Sequence, residues 1–343
     1  MVWWKCYFGL KDVLRQIEDE RYIVENKIMV SIICTTYNQD IYIEDAIKSF
    51  LMQITDFSYE IIIHDDASTD NTKKIIKTYE KLYPDIIHSI IQTENKYSQG
   101  VNILENYELP VARGKYIAFC EGDDYWTDPY KLKKQVEMLE KHEECDVCAH
   151  AASVVRAQDK TEIRKIAPST QNKIFETREV ILGDGGFVAT NSLMMRKSLF
   201  DCIPEFRKEY RIDYSLQIWG ALRGGMLYLS ENMSSYREFA QSSWSNRMRK
   251  DISRYVKHYE KIIMMLGKLD VFTNQKYSKE ISNRIRWQKF QMLIIQQENR
   301  KIISGDYSEF LKKMPLKEQC KIYVKAACPW LCKVNEWRKK YVR

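Results

Sequence analysis

Glu121-Gly122-Asp123-Asp124 sets three carboxylates around one glycine, directly after the apolar run Tyr116-Ile117-Ala118-Phe119-Cys120. Carboxylates this close repel one another strongly unless something positive sits among them. A divalent cation holding a phosphorylated ligand meets that need. Oxygen ligands suit hard ions such as Mg²⁺ or Mn²⁺, which bind through one or two carboxylates and complete their shell with water and substrate phosphates. The plainer alternative is a solvated acidic turn leading into a helix at Asp128-Pro129. A second cluster, His142-x2-Cys145-x2-Cys148-x-His150, has the ligand types for tetrahedral zinc. Against zinc, Asp146 to Ala151 also reads as a strand, and Cys145 falls at the tail of the preceding helix.

The elements that must position the acidic turn recur in a regular order. Ile28-Met29-Val30-Ser31-Ile32-Ile33-Cys34 is apolar on both faces, as a central parallel strand is, and stops at Thr35-Thr36-Tyr37-Asn38-Gln39. Asp40 is placed to cap the next helix, in which Ile43, Ile47, Phe50 and Leu51 repeat at helical spacing. Glu60 to His64 is a second buried strand, stopped by Asp65-Asp66-Ala67-Ser68-Thr69-Asp70 and followed by a helix carrying Ile75, Ile76, Tyr79 and Leu82. A short strand near His88 to Ile91 and a helical segment around residues 99 to 112 lead to the strand at 115 to 120. Asp128 caps, and Pro129 starts, a helix with Leu132, Val136 and Leu139 on one side. Strand and helix alternating in this way make a doubly wound, mostly parallel sheet, in which ligands bind at the carboxyl ends of the strands. That rule gathers Thr35 to Gln39, Asp65-Asp66 and Glu121 to Asp124 on one rim.

Beyond residue 150 the pattern weakens. Phe187 to Arg196 reads as a strand, with Thr190-Asn191-Ser192 near its start. A helix follows Asp213, and Met226 to Leu229 is a strand leading into Met233-Ser234-Ser235-Tyr236-Arg237. From about residue 250 only helical segments are legible, and residues 1 to 27 read as a short amphipathic helix.

Composition bounds the possibilities. With 343 residues, 45% of them hydrophobic, the chain buries a full core, which excludes a disordered or fibrous protein. Nine cysteines are scattered, and Cys34 and Cys120 fall in buried strands, a usage that fits a reducing cytosol better than a disulfide scaffold. No apolar run has the roughly 18 residues of a membrane span, and Met1 to Cys6 lacks a signal-peptide core, so a soluble or peripheral protein is expected. Residues 301 to 343 hold 11 Lys/Arg against 4 Asp/Glu, an excess equal to the whole chain's +7. There Tyr323, Trp330, Leu331, Trp337 and Tyr341 interleave with the basic residues, a mixture that suits peripheral contact with anionic lipid or a helical appendage with a solvated basic face. Nucleic acid is not expected as a partner, since charge alone would support it.

Taken in order, Val30 to Asn38, Ile63 to Asp70, Arg113-Gly114-Lys115-Tyr116-Ile117 and Glu121 to Trp126 resemble the family 2 glycosyltransferases from about Met29 to Ser245. These are inverting enzymes of the GT-A fold that move a sugar from a nucleoside diphosphate to an acceptor. The resemblance implies a Rossmann-like mixed sheet over residues 28–248 with a basic helical region over 249–343. It places Thr35 and Tyr37 beside the nucleoside and Asp66 on a base N–H, which favours uracil. Asp65 braces the loop, while Ser68 and Asp70 are read as helix caps. Glu121 faces the ribose, and Asp123, with Asp124 sharing either task, binds the Mn²⁺ or Mg²⁺ that bridges the phosphates. Asp213 matches the general base that takes the acceptor hydroxyl proton. Arg237 is matched to the stretch that closes over the diphosphate, where it pairs with phosphate oxygens. Many relatives carry a histidine two residues later; here the place holds Phe239, though Gln241 to Trp244 fits a mobile lid. Thr190-Asn191-Ser192 lies where sugar hydroxyls would be met. The donor implied is a UDP-sugar and the acceptor a glycan or lipid-linked glycan. A nucleotidyltransferase and a catalytically inactive binding module of the same fold are the alternatives. The first lacks its Gly-rich basic loop here, and the second has no need of Asp213.

Overall fold

A computed structural model describes residues 27–241 and 251–328. The amphipathic helix expected over residues 1 to 27, the end of the expected lid and the tail beyond residue 328 lie outside the described residues. The described chain falls into two compact units: residues 27–180, 185–203 and 216–241 in the first, and 181–184, 204–215 and 251–328 in the second.

The first unit is built on one mixed sheet. Its strands are β1 (Ile28–Thr36), β2 (Ser58–Asp65), β3 (Ile87–Ile91), β4 (Tyr116–Phe119), β5 (Tyr125–Trp126), β6 (Val147–Arg156), β7 (Glu162–Ile166), β8 (Lys173–Phe175), β9 (Met194–Arg196) and β10 (Met226–Glu238). The order across the sheet is β3-β2-β1-β4-β9-β6-β10-β5, with β7 beside β6 and β8 beside β10. β3, β2, β1 and β4 run parallel, β9 is antiparallel to both β4 and β6, and β6 is parallel to β10. The sheet is therefore mostly parallel, and β10 ends on the same edge as β1, β2 and β4.

The doubly apolar strands are central and buried on both faces, with Ile33, Ile62, Ile117 and Phe119 buried on one side and a larger cluster on the other. Val30, Ile32, Cys34, Ile61 and Ile63 are buried with Ile43, Ala46, Ile47 and Phe50 of helix Ile43–Leu51 and Leu132, Val136 and Leu139 of helix Lys131–Lys141. Each such side chain contributes about 1.5–3 kcal/mol of transfer free energy. Gly114 is required by contact: a Cβ there would lie 2.4 Å from the backbone nitrogen of Ser31. Its own N–H donates to Ser31 Oγ at 2.8 Å.

Three local expectations are corrected. Phe187 to Arg196 is not one strand: Thr190–Ser192 forms a 3-10 turn, and only Met194–Arg196 joins the sheet. The segments around Met226 and Ser234 are one strand, kept continuous by register shifts between Leu229 and Ser234. The helical stretch around residue 105 is a single π-helical turn, Leu104–Glu108.

The second unit is helical. Ile252–Phe272 and Ser278–Ile295 are its long helices, followed by Asn299–Ile302, Ser308–Lys312 and Leu316–Ala327. Phe290, Ile302, Phe310, Leu311 and Ile322 form a core of their own. Among the described residues no helix is long and apolar enough to cross a membrane.

Candidate active site

The parallel register brings the strand ends together. Thr36 pairs with Asp65, and Ile33 with Phe119, so the segments after β1, β2 and β4 emerge along one edge. Backbone bonds then tie the acidic turn to β1: Cys120 N–H donates to the Ile33 carbonyl and Gly122 N–H to the Thr35 carbonyl, each at 3.1 Å. A Cβ at Gly122 would stand 2.6 Å from both Gln39 Oε1 and Thr36 Oγ1. Only glycine lets the turn lie this close to β1.

Within the turn the three carboxylates have different surroundings. Glu121 is exposed, whereas Asp123 and Asp124 are 6% and 2% exposed. Asp124 Oδ2 accepts from Asn191 Nδ2 at 2.9 Å, and Oδ1 accepts from the Arg237 backbone N–H at 2.8 Å. Burial, and then the charge of Asp123, hold the Asp124 carboxyl well above the usual range, against the lowering pull of Arg237 and Asn191.

Arg237 is 1% exposed, its guanidinium between the rings of Tyr42 (5.1 Å) and Tyr125 (4.5 Å). Nη1 donates to the Asp123 carbonyl at 2.7 Å, and Nη2 to Asp45 Oδ2. Both guanidinium ends are thus bonded within the protein. Asn191 and Ser192 depart from expectation. Asn191 Nδ2 donates to Asp124 and to the Ser235 carbonyl, Asn191 Oδ1 accepts from Ser234 Oγ, and its carbonyl accepts from Trp126 Nε1. Ser192 is fully buried, and its hydroxyl donates to the Ala189 carbonyl at 2.6 Å. These two residues support the turn from inside and do not face sugar hydroxyls.

At the end of β1, Thr35 Oγ1 donates to Glu108 Oε1 at 2.7 Å. Glu108 is buried on the π-helical turn, and burial pushes its carboxyl up to about 7 against the lowering effect of that hydrogen bond. Asp66 Oδ1 accepts from Lys96 N–H at 2.7 Å and Oδ2 from Tyr97 N–H at 3.1 Å, which ties the loop after β3 to the end of β2. Each carboxylate oxygen retains a second lone pair for a ligand N–H. Tyr37 is half-buried beside Asn38, whose φ of 51° is left-handed. Asp65 does brace its loop, through Ser68 N–H at 3.3 Å. Ser68 does not cap a helix, because its hydroxyl accepts from Asn38 N–H. Asp70 accepts from Thr72 N–H at 2.9 Å and from Asp40 N–H at 3.1 Å, and Asp40 itself makes no cap bond to helix Ile43–Leu51.

Asp213 is exposed at the first position of helix Asp213–Ala221, in the second unit. Its charge, with that of Asp184, raises the His258 imidazole, whose burial lowers it more. The zinc reading fails among the described residues, where no three His, Cys, Asp or Glu converge to hold a metal. His150 bonds to the Ala151 carbonyl through Nδ1, and Cys145 donates to the Gly224 carbonyl. Glu108, Asp45 and Lys131 were not signalled by any motif. Lys131 is fully buried, 3.9 Å over the Trp126 ring and bonded to Gln135 Oε1 at 2.7 Å, and burial lowers it to about 7.

The model of "Glycosyl transferase family 2" matches residues 31–203. The putative teichuronic acid biosynthesis glycosyltransferase TuaG of Bacillus subtilis (strain 168) is 35% identical over 152 residues, 44% of this chain and 56% of its own length. The Escherichia coli UDP-Glc:alpha-D-GlcNAc-diphosphoundecaprenol beta-1,3-glucosyltransferase WfaP is 38% identical over 112 residues, 33% of this chain and 41% of its own. Among solved structures, S. aureus TarS 1-349 in complex with UDP-GlcNAc matches with a TM-score of 0.57 at 18% identity, covering 87% of this chain and 79% of that one. That likeness gives the fold, a GT-A sheet with helices following it. The chain spans about 60% of the length of curated relatives it matches. With the matched region running from β1 to just beyond β9, across the rim and the acidic turn, the chain belongs to glycosyl transferase family 2.

Proposed function

We propose that this protein transfers a glycosyl residue, with inversion, from a UDP-sugar to a hydroxyl of a glycan or lipid-linked acceptor at the inner membrane face. The observation that carries the proposal is the acidic turn at the carboxyl ends of β1, β2 and β4, flanked by Thr35, Tyr37 and Asp66, inside a family 2 region. Support for the donor comes from WfaP, whose name specifies UDP-Glc, and from TarS, solved with UDP-GlcNAc. Support for the acceptor comes from the lipid diphosphate in the WfaP name and the teichuronic acid in that of TuaG.

The residues of the turn fit a divalent ion. Asp123 and Asp124 are two buried hard-oxygen donors, and burial beside another carboxylate already disfavours the charge on Asp124. With no third protein ligand among the described residues, water and donor phosphates would complete the shell, as Mg²⁺ and Mn²⁺ prefer. Asp123 and Asp124 share the ion in this proposal, with Asp124 held in place by the bonds that its oxygens accept from Asn191 and from the Arg237 backbone. When bound, the ion supplies charge neutralisation at the departing diphosphate.

The chain's own residues do the rest. Tyr37 packs on the base, Asp66 and Thr35 accept hydrogen bonds from the nucleoside, and Glu121 holds the ribose. The Thr35 hydroxyl proton is directed at Glu108, so its lone pairs are left for the ligand. Arg237 braces the turn through the Asp123 carbonyl. Asp213 takes the proton of the attacking acceptor hydroxyl. The test is a screen of nucleotide sugars by thermal shift and by slow donor hydrolysis, with and without Mn²⁺. Stabilisation by UDP and by one UDP-sugar is the expected outcome, and no stabilisation by any nucleoside diphosphate would overturn the donor site.

A further inference from the structure

Helix Leu316–Ala327 has two apolar faces, and among the described residues only one of them is covered. Ile322 and Ala326 are buried, Ile322 within the core of Phe290, Ile302, Phe310 and Leu311. Leu316, Tyr323 and Val324 are 77%, 50% and 53% exposed, and Cys320 and Ala327 are exposed beside them. At 3.6 residues per turn, positions 316, 320, 323, 324 and 327 fall within about 100° of the helix circumference, a continuous stripe on the side away from Ile322. Lys317 and Lys321, four residues apart, border that stripe on the Val324 side, and Lys325 continues the row farther round, its Nζ 3.4 Å from Gln297 Oε1. From Lys312 to Lys325 there are five lysines against one acid, Glu318, which pairs with Lys321 at 2.6 Å. The sequence that follows, residues 329 to 343, adds five Lys/Arg against Glu336, together with Trp330, Leu331, Trp337 and Tyr341.

We infer that this stripe is a docking surface for an anionic lipid bilayer, with Leu316, Tyr323 and Val324 entering the interface and the lysine flank facing the headgroups. Charge complementarity selects this occupant. An apolar stripe bordered by cations on a helix too short and too charged to span a membrane lies in the plane of a negatively charged surface. A second copy of the chain would bring two such lysine-rich segments together, each with five lysines against one acid, and those like charges repel. The inference stands apart from the donor site, which it neither uses nor requires.

The test is co-sedimentation of the full chain with vesicles of phosphatidylcholine alone and of phosphatidylcholine with phosphatidylglycerol. Binding to the anionic vesicles, weakened by salt, is expected. The triple variant Leu316→Ser, Tyr323→Ser, Val324→Ser should lose about tenfold in partitioning, and Lys317→Glu with Lys321→Glu should lose the anionic preference. All these side chains are exposed, so circular dichroism and UDP thermal shift of the variants should match the parent. Failure of the parent to bind anionic vesicles, or undiminished binding by the triple variant, overturns the inference. A dimer in light scattering that the triple variant converts to monomer, without vesicle binding, overturns it in favour of a second copy. Loss of vesicle binding with UDP stabilisation intact supports it, whereas absent UDP stabilisation in the parent speaks only against the donor reading.

Discussion

The guanidinium of Arg237 is bonded to the carboxylate of Asp45, 192 residues earlier in the chain, and the arginine is almost wholly buried while the aspartate is 35% exposed. The pair joins the end of β10 to helix Ile43–Leu51, and the second guanidinium nitrogen holds the carbonyl of Asp123. Lys160 also reaches Asp45, at 2.9 Å. The position of the acidic turn therefore depends on a helix and a strand far from it in sequence.

Asp45→Asn should accordingly weaken nucleotide binding without touching the nucleotide. Removing the charge opposite a buried guanidinium costs about 1–3 kcal/mol, less than for a fully buried partner because Asp45 is partly solvated. Urea unfolding should register that loss, and UDP titration should show a weaker Kd. Arg237→Lys keeps charge but not the two-pronged contact, and it should impair donor binding similarly. If Arg237→Lys lowers diphosphate affinity while Asp45→Asn leaves it unchanged, Arg237 acts on the phosphates directly.

Gly122→Ala tests the close approach of the turn to β1. The new methyl would meet Thr36 and Gln39 at 2.6 Å, so the turn or the Thr36–Gln39 hydrogen bond must yield. A loss of about 1–3 kcal/mol is expected, with a larger proportional loss of metal-dependent nucleotide binding. Differential scanning fluorimetry with and without UDP and Mn²⁺ separates the two.

Two buried groups give stability a pH dependence of opposite sign around neutrality. Glu108 has its carboxyl raised to about 7, so the native state holds a proton that the unfolded chain has already lost above the ordinary glutamate range. Stability from this group falls as pH rises from about 4.5 to about 7, by roughly 3 kcal/mol in all. Lys131 is lowered to about 7, so above that pH the unfolded chain binds the extra proton and stability rises with pH towards the ordinary lysine value. Unfolding curves from pH 5 to 9 should show Glu108→Gln abolishing the fall and Lys131→Met abolishing the rise. Parallel pH profiles for parent and variants would contradict both.

Asp213→Asn should leave UDP and donor binding intact while transfer falls by about 10²–10⁴-fold, the usual worth of a positioned base. Single-turnover assays at saturating donor are the measurement. Unchanged transfer removes Asp213 from the role.

Much of the rim was legible because its signals are local. β1, β2 and β4 are apolar on both faces, and the turn residues that stop them lie in the same short windows. What could not be read was polar residues used as interior supports. Asn191 looks like a loop residue awaiting a ligand, yet its partners Asp124 and Ser234 lie 67 and 43 residues away. Lys131 and Glu108 resemble solvent-facing residues of helical segments because nothing adjacent announces their burial. β10 read as two pieces since Ser230 to Asn232 interrupts its apolar pattern, and only pairing with β6 across the register shift restores continuity.

The co-orientation of β10 with β1, β2 and β4 has a bearing on how the protein is made. During synthesis the acidic turn leaves the ribosome more than a hundred residues ahead of Arg237, whose backbone and side chain secure both of its aspartates. A nascent chain halted before Arg237 thus carries its carboxylates without their brace, and the turn is secured only when the last strand arrives. Truncated forms of this protein that end before Arg237 should therefore fail to be stabilised by UDP.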